Sequence, residues 1–329
     1  MNRVDGHHSD MSFSIVTTLY YSARYIREFY RRICSEAEAI TDDFEIIFVD
    51  DGSPDDSLAI ALEIQRSDPR VKVIELSRNF GHHKAIITGL THSRGQVVFL
   101  IDSDLEEPPE LLGRFYKEFV RLHADVVFGV QKKRKGGVLE RISGKIFYYL
   151  FNLLSSNPIP ENLITARLMT RSYVEALITH REREVFLAGI LCITGFKQVP
   201  LIVSKGSKVA TMYTVRRRVE LAIRAITSFS DRPLVLIFYL GSIILVLSGG
   251  HLFYLFMRKL LFGIQMKGYT SLIASIWLLG GITIFSMGII GIYLARIYIE
   301  VKRRPYTVVR SIYSSDDSNS RDSVEPIKS

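Results

Sequence analysis

The chain has 329 residues, 47% hydrophobic and 23% charged, with a formal net charge of +8. That length allows two domains, or one domain joined to a membrane part, and the slightly positive mean hydropathy favours a soluble portion coupled to something greasier. Cys34 and Cys192 are too far apart for a disulfide scaffold or a zinc site. The basic charge clusters near apolar segments and no nucleic-acid motif accompanies it, so anionic lipid headgroups are the expected partner and nucleic acid is not.

Residues 1–12 (MNRVDGHHSDMS) read as a flexible polar lead without the apolar core of a signal peptide, which leaves the next domain facing a reducing cytosol. Phe13 to Leu19 (FSIVTTL) is rich in β-branched residues and reads as a strand. Tyr25, Ile26, Phe29, Tyr30 and Ile33 then recur at helical spacing over residues 23–39. Glu45 to Val49 is a second strand entering Asp50-Asp51-Gly52-Ser53-Pro54, and a helix follows through Leu58, Ala61 and Ile64. Val71 to Leu76 is a third strand, ending in Ser77-Arg78-Asn79-Phe80-Gly81 before a helix over residues 83–92. Next comes VVFLIDSDLEEPPE, Val97 to Glu110, a buried strand running into acids and prolines. A helix over residues 109–122 and a strand over 125–130 complete the pattern. Alternating strands and helices predict βαβ units and a mostly parallel α/β sheet. No G-x-G-x-x-G follows the first strand, so a dinucleotide-binding domain is not expected.

Two further stretches predict transmembrane helices. Leu234 to Met257 carries no formal charge apart from His251, and Ser271 to Ala295 carries none. Each reaches about 36 Å as a helix, enough for a hydrocarbon core of about 30 Å. Arg216, Arg217, Arg218, Arg224 and Arg232 precede the first, and Arg296, Lys302, Arg303, Arg304 and Arg310 follow the second. The connecting loop holds only Arg258, Lys259 and Lys267. That bias puts the α/β domain and both termini on the cytoplasmic side of a multi-pass protein of the inner membrane. Residues 211–233 place Val215, Val219, Ala222, Ile223 and Ile226 on one stripe with arginines elsewhere, as in an amphipathic helix in the headgroup layer. The expected organisation is a sheet domain over 13–210, the interface segment over 211–233, two spans over 234–297 and a partly disordered cytoplasmic tail over 298–329.

Three clusters fall at strand ends: Asp50-Asp51, Arg78-Asn79 and Asp102-x-Asp104. Ligands of open α/β sheets bind beyond the carboxyl ends of strands, and two carboxylates spaced i, i+2 there can meet one hard divalent cation, Mg²⁺ or Mn²⁺. His82 and His83, in a loop opening a helix, read as surface or capping histidines ahead of phosphate contacts.

The runs EIIFVDDGSPDDS, LSRNFGHHKAIITGL, FLIDSDLEEPPE and ITSFSDRPL, followed by two membrane spans, resemble family 2 glycosyltransferases of the dolichol-phosphate mannose synthase-like branch, which includes bacterial polyprenyl-phosphate glycosyltransferases. The resemblance covers roughly residues 13–310. It implies a GT-A, Rossmann-like catalytic domain. The implied reaction is an inverting, metal-dependent transfer of a single hexose from a nucleotide diphosphate sugar, UDP- ahead of GDP-, to polyprenyl phosphate such as undecaprenyl phosphate. Cell-envelope glycan or O-antigen modification is the implied use. The nucleotide sugar is assigned to Thr18, Tyr20, Asp50, Asp51, Arg78, Asn79, Gly81, Asp102 and Ser103. Asp102, Asp104 and Glu106 are assigned to the metal, Glu106 standing where the family commonly has a Gln.

Arg167 matches the arginine of the family's Asp-Phe-Arg-Leu segment near the reacting phosphate, and Glu182 and Phe186 match a segment flanking the acceptor. Asp104, Thr165, Arg167 and Glu182 are the catalytic candidates, with Arg167, Lys205, Lys208, Arg216 and Arg217 for the acceptor phosphate. Two departures concern that side: the family's Asp falls on Thr165, and its Ser-Lys-Tyr reads Thr211-Met212-Tyr213. A lipid phosphate with a second pKa of about 6 is largely dianionic at neutral pH and attacks without a general base. Trp277 is the only tryptophan, so the Gln-x-x-Arg-Trp motif of processive synthases is missing and a single transfer is expected. Two spans per chain leave room for a small homo-oligomer. The competing readings are transfer to another lipid acceptor, such as a lipid-linked diphosphate sugar or diacylglycerol, and a catalytically silent membrane-anchored scaffold.

Overall fold

The computed structural model describes residues 11–131, 163–180, 187–203, 232–262 and 268–315. These form two compact units, one holding the sheet with its short helices and the other holding two long helices. In chain order the first unit runs β1 (Phe13–Leu19), α1 (Ile26–Glu38), β2 (Phe44–Asp50), α2 (Ser57–Ser67), β3 (Val71–Leu76), α3 (His82–Thr91), β4 (Val97–Leu100), α4 (Leu111–Leu122) and β5 (Val126–Gln131). It continues with β6 (Leu163–Thr170), α5 (Arg171–Ile178), α6 (Leu187–Ile193) and β7 (Gln198–Val203).

After α7 (Arg232–Phe262) and α8 (Tyr269–Val301), which belong to the second unit, the chain adds β8 (Val309–Tyr313) to the sheet. The strand order is β7-β5-β6-β4-β1-β2-β3-β8. β4, β1, β2 and β3 run parallel to their neighbours among themselves, as does β5 to β7, whereas β6 and β8 are antiparallel to the strands they join.

The central strands are apolar on both faces because both faces are covered. Phe13, Ile15 and Leu19 of β1 and Phe44, Ile46 and Phe48 of β2 pack in one cluster with Ile26, Phe29 and Ile33 of α1 and Leu111, Leu112 and Phe115 of α4. α1 can do this because its apolar residues recur every three or four positions. The opposite face lies under α3, whose Gly89 sits so close that an added Cβ would be 2.5 Å from Val16 Cγ1 and 2.9 Å from Val49 Cγ2. A half-buried polar tie stitches that face: Ser14 Oγ donates to Glu45 at 2.6 Å and Lys72 Nζ to the same carboxylate at 3.1 Å. α4 ends at His123, which takes the left-handed conformation (φ 46°) common just past a helix.

The strand limits read for β1 and β3 coincide with those observed, and β2, β4, β5 and the first four helices lie within a few residues of their expected positions. β6, α5, α6, β7 and β8 carry no earlier expectation. β8 falls in the stretch taken for a tail. Of the two expected membrane crossings, one meets the criteria of length and polarity among the described residues: Leu278–Val301 within α8, 24 residues with none of the window buried. The apolar run described in α7, Leu234–Ile244, is shorter. The expected interface segment lies outside the described residues except at Arg232 and Pro233, where α7 begins.

Gly89→Leu should lift α3 from the sheet. Overpacking of this kind costs roughly 1–3 kcal/mol, and a lowered melting temperature of the full chain in detergent is the expected reading.

Candidate active site

The parallel strands β1, β2 and β3 leave in one direction from β1 while β4 lies on its other side, so the sheet has its switch point between β4 and β1. Open α/β sheets bind ligands beyond the carboxyl ends of the strands at such a point. Two acid-rich corners are built there from residues far apart in sequence.

The first corner is the end of β2. Asp51 is 2% exposed and its carboxylate accepts the N–H groups of Phe80 (2.7 Å) and Gly81 (3.0 Å), which ties down the loop between β3 and α3. Gly52 lets that loop approach: with φ 62°, a Cβ here would stand 2.6 Å from the Arg78 carbonyl carbon and the Asn79 nitrogen. Burial raises the Asp51 carboxyl above its ordinary value, and the two N–H groups pull it back. Asp50, also 2% exposed, is pushed up to about 6, first by burial and then by the neighbouring Glu75, against the N–H groups of Ser53 and Gly52. Arg78 and Asn79 are exposed, and the Arg78 guanidinium lies 4.1 Å from the centre of the Phe80 ring.

The second corner joins β1, β4 and β6. Thr165 Oγ1 donates to Asp102 Oδ2 at 2.8 Å, and His82, at the start of α3, spans from Thr18 Oγ1 (Nδ1, 3.0 Å) to Asp102 Oδ1 (Nε2, 3.4 Å). His82 is thus an exposed residue that also belongs to this corner. Ser103 is 3% exposed, and its hydroxyl donates to the Thr18 carbonyl at 2.9 Å beside Ser22 Oγ at 3.1 Å. Its hydroxyl is thus spent fastening the loop after β4 to β1. Tyr20, 48% exposed, meets Tyr21 edge to face at 4.8 Å between ring centres.

The residues expected at the metal and Arg167, expected at the acceptor phosphate, have the following surroundings. Asp102, Asp104 and Glu106 do not converge as a preformed trio: among the described residues no group of three His, Cys, Asp or Glu side chains is arranged to hold a metal. Asp104 turns back instead, its Oδ1 accepting the Glu106 N–H at 3.0 Å around Leu105 with φ 62°. Arg167, expected at the acceptor phosphate, is 4% exposed, and its guanidinium donates to the carbonyls of Thr165 (3.2 Å) and Ile164 (3.3 Å). Burial lowers its pKa from the ordinary arginine value. Lys205, Lys208, Glu182, Phe186, Arg216 and Arg217 lie outside the described residues.

Sequence reasoning passed over Glu107. It is fully buried, and its two oxygens accept the N–H groups of Thr165 (3.1 Å) and Ala166 (2.8 Å). These bonds hold the strand that presents Thr165 to Asp102. The signal available was an acid next to Pro108-Pro109, indistinguishable by pattern from Glu106 beside it.

A mostly parallel sheet with acids in place of glycines at its strand ends is a GT-A-like α/β arrangement. Residues 14–178 match Glycosyl transferase family 2, and the chain belongs to that family and is a glycosyltransferase. The family resemblance read from the motifs is thereby borne out. A chain of Mycobacterium tuberculosis (strain CDC 1551 / Oshkosh), named as putative glycosyltransferases, is 52% identical over 306 residues, covering 93% of this chain and 90% of that one. The prophage bactoprenol glucosyl transferase homolog of Escherichia coli (strain K12) is 32% identical, covering 92% of this chain and 99% of that one. Among solved structures, S. aureus TarS 1-349 is similar with a TM-score of 0.44 at 19% identity, covering 66% of this chain; the chain spans 65% of that one's length.

The raised Asp50 carboxyl makes stability depend on pH. Between about pH 4 and 6 the folded chain binds this proton more tightly than the unfolded chain, so stability falls as pH rises through that window. The cost is complete above it and is on the order of 2–3 kcal/mol at most. Asp50→Asn should melt above the parent at about pH 7.5, with the difference vanishing near pH 4; thermal unfolding in detergent across that range tests it.

Proposed function

We propose that this glycosyltransferase moves one hexose from a nucleoside diphosphate sugar, UDP ahead of GDP, to the phosphate of a membrane polyprenyl phosphate, inverting the anomeric centre. The observation that supports this most is Asp102 at the switch point of the sheet, oriented by Thr165 and within reach of His82, in a chain whose relatives include bactoprenol glucosyl transferases. Asp50 and Asp51, with the Arg78-Asn79 loop stacked on Gly52, are proposed to take the nucleoside, its N–H and O–H groups donating to carboxylate oxygens.

Asp102 and Asp104 present an all-oxygen donor set, which suits a hard divalent cation, Mg²⁺ or Mn²⁺. Two protein carboxylates rather than three also fit a cation of the Mg²⁺ kind, which commonly keeps its remaining positions for water and substrate phosphate. When bound it would neutralise the departing diphosphate. The residues do the rest of the work by position. Thr165 holds Asp102 and Glu107 holds Thr165, while Arg167 donates to the carbonyls of Thr165 and Ile164 within β6. We assign the cations for the acceptor phosphate to Lys205, Lys208, Arg216 and Arg217.

The missing carboxylate at Thr165 is no obstacle to attack. A phosphate monoester oxygen is already anionic at neutral pH, so the site must supply approach and charge balance rather than a base. We further infer that α7 joins α8 in crossing the inner membrane and that the sheet unit stands on the cytoplasmic side, where polyprenyl phosphate and nucleotide sugar meet. The basic flanks of the two helices support that orientation.

Purified full-length protein with Mg²⁺ or Mn²⁺, undecaprenyl phosphate and a panel of UDP- and GDP-sugars should release nucleoside diphosphate only when lipid is present, with the lipid gaining the mass of one sugar. Release that needs a different lipid, or no turnover with any donor, overturns the reading. Asp102→Asn and Asp104→Asn should each lower turnover at least about 100-fold, the scale lost when a key electrostatic contact to a leaving group is removed, while melting within a few degrees of the parent. Full activity in both variants would remove the metal assignment.

A further inference from the structure

Glu75 is a buried acid with no part in the reaction described above. It ends β3, is 7% exposed, and is the register partner of Asp50 on the adjoining parallel strand. Partners on parallel strands project from the same face, with strands about 4.8 Å apart, so the two carboxyl groups stand side by side. The charge of Glu75 is one of the causes that raise the Asp50 carboxyl. Glu75 is held from the other side by β8. Arg310 Nη1 donates to Glu75 Oε1 at 3.0 Å and the Tyr313 hydroxyl to Oε2 at 3.0 Å.

The geometry of β8 makes this arrangement specific. The pairing runs Glu75 to Ser311 and then Leu76 to Val309, so the register skips Arg310. A skipped residue on an edge strand re-aims its side chain, and here it brings the guanidinium onto an acid it would otherwise not face. Tyr313 pairs with Val73, two residues before Glu75, which is the diagonal position on the same face. Burial and the bond to Glu75 raise the Tyr313 phenol above its ordinary value, in keeping with a hydroxyl committed as a donor.

We propose that Arg310 and Tyr313, on the strand that follows the two long helices, are positioning residues for donor binding: by holding Glu75 they leave Asp50 able to accept hydrogen bonds from the nucleoside. This rests on the proposal that the nucleoside binds at Asp50. The coupling is electrostatic. Two neighbouring carboxylates in a buried corner disfavour each other's charge, and a cation beside one of them removes part of that penalty. Without Arg310 the negative charge on Asp50 becomes costlier. A carboxyl carrying a proton can no longer take donors at both oxygens, so affinity for the nucleoside falls while the reacting end of the donor is untouched. Such a loss appears in KM for the donor and leaves kcat nearly unchanged.

Arg310 is a tractable place to test this because its side chain is 63% exposed while Glu75 is 10% exposed. Removing it opens no core cavity. Using the full chain in detergent, UDP-glucose as donor and undecaprenyl phosphate as acceptor, Arg310→Ala should raise donor KM and the Kd for UDP roughly 3- to 10-fold. Its kcat and lipid KM should stay within about twofold of the parent, as expected for lost uniform donor binding. Arg310→Lys should retain most of the affinity. Adding Glu75→Gln to Arg310→Ala should recover it, since the neutral amide removes the charge that Arg310 offsets.

An unchanged donor KM in Arg310→Ala, an effect confined to kcat or to lipid KM, or no recovery in the double variant overturns the inference. Asp50→Asn separates that failure from one beneath it. If Asp50→Asn weakens UDP binding while Arg310→Ala does not, the coupling alone is wrong. If neither does, the nucleoside is not at Asp50 and the inference falls with that reading.

Discussion

Asp51, closed over the N–H groups of Phe80 and Gly81, is the contact on which the rest of the site depends. Where a parallel strand ends, the chain leaves the ladder and its backbone donors need new partners. A carboxylate supplies them well because it accepts several donors and the bonds are charge-assisted. The outlay is a buried negative charge, visible in the raised Asp51 carboxyl. In return the loop carrying Arg78, Asn79 and Gly81 is clamped against Gly52, and α3 starts where His82 can reach both Thr18 and Asp102.

Glu107 repeats the device on the other side of the switch point. Its two oxygens take the N–H groups of Thr165 and Ala166, in an antiparallel strand whose register with β4 sets Arg167 opposite Leu100. With that strand pinned, alternation along it sends Ile164, Ala166 and Leu168 into the apolar cluster and leaves Thr165 for Asp102. Asp51 and Glu107 thus each accept two backbone N–H groups, while Asp102 accepts the Thr165 hydroxyl. A rigid sheet, apolar on both faces and closely covered by α3 at Gly89, is what lets so much charge collect at one edge.

Much of the sheet was readable because the parallel strands are continuous apolar runs bounded by turn residues. β1 and β3 match their sequence limits for that reason. β6 and β8 were not readable. LITARLMT carries Thr and Arg among its apolar residues, and VRSIY is short and follows a long apolar helix. Both are antiparallel additions to strands far away in the chain. Local periodicity has no term for such pairing, because the stabilising contacts lie outside any window of sequence. The same limit explains Glu106 and Glu107, adjacent acids with identical local surroundings. Glu107 lies where β6 passes and takes two of its N–H groups.

By itself the sequence determined the alternation of strands and helices, the family, and the collection of acids at strand ends, because these follow from hydrophobic period and short motifs. Only the tertiary structure decided what each charged side chain faces. Arg167 lies in the core on backbone carbonyls, Asp104 turns back on its own loop, and His82 bridges β1 and the loop after β4. Glu75 meets Arg310 across a separation of 235 residues. Hydrogen-bond partners are chosen by strand register and by which segment crosses overhead, and both are set when distant parts of the chain pack together.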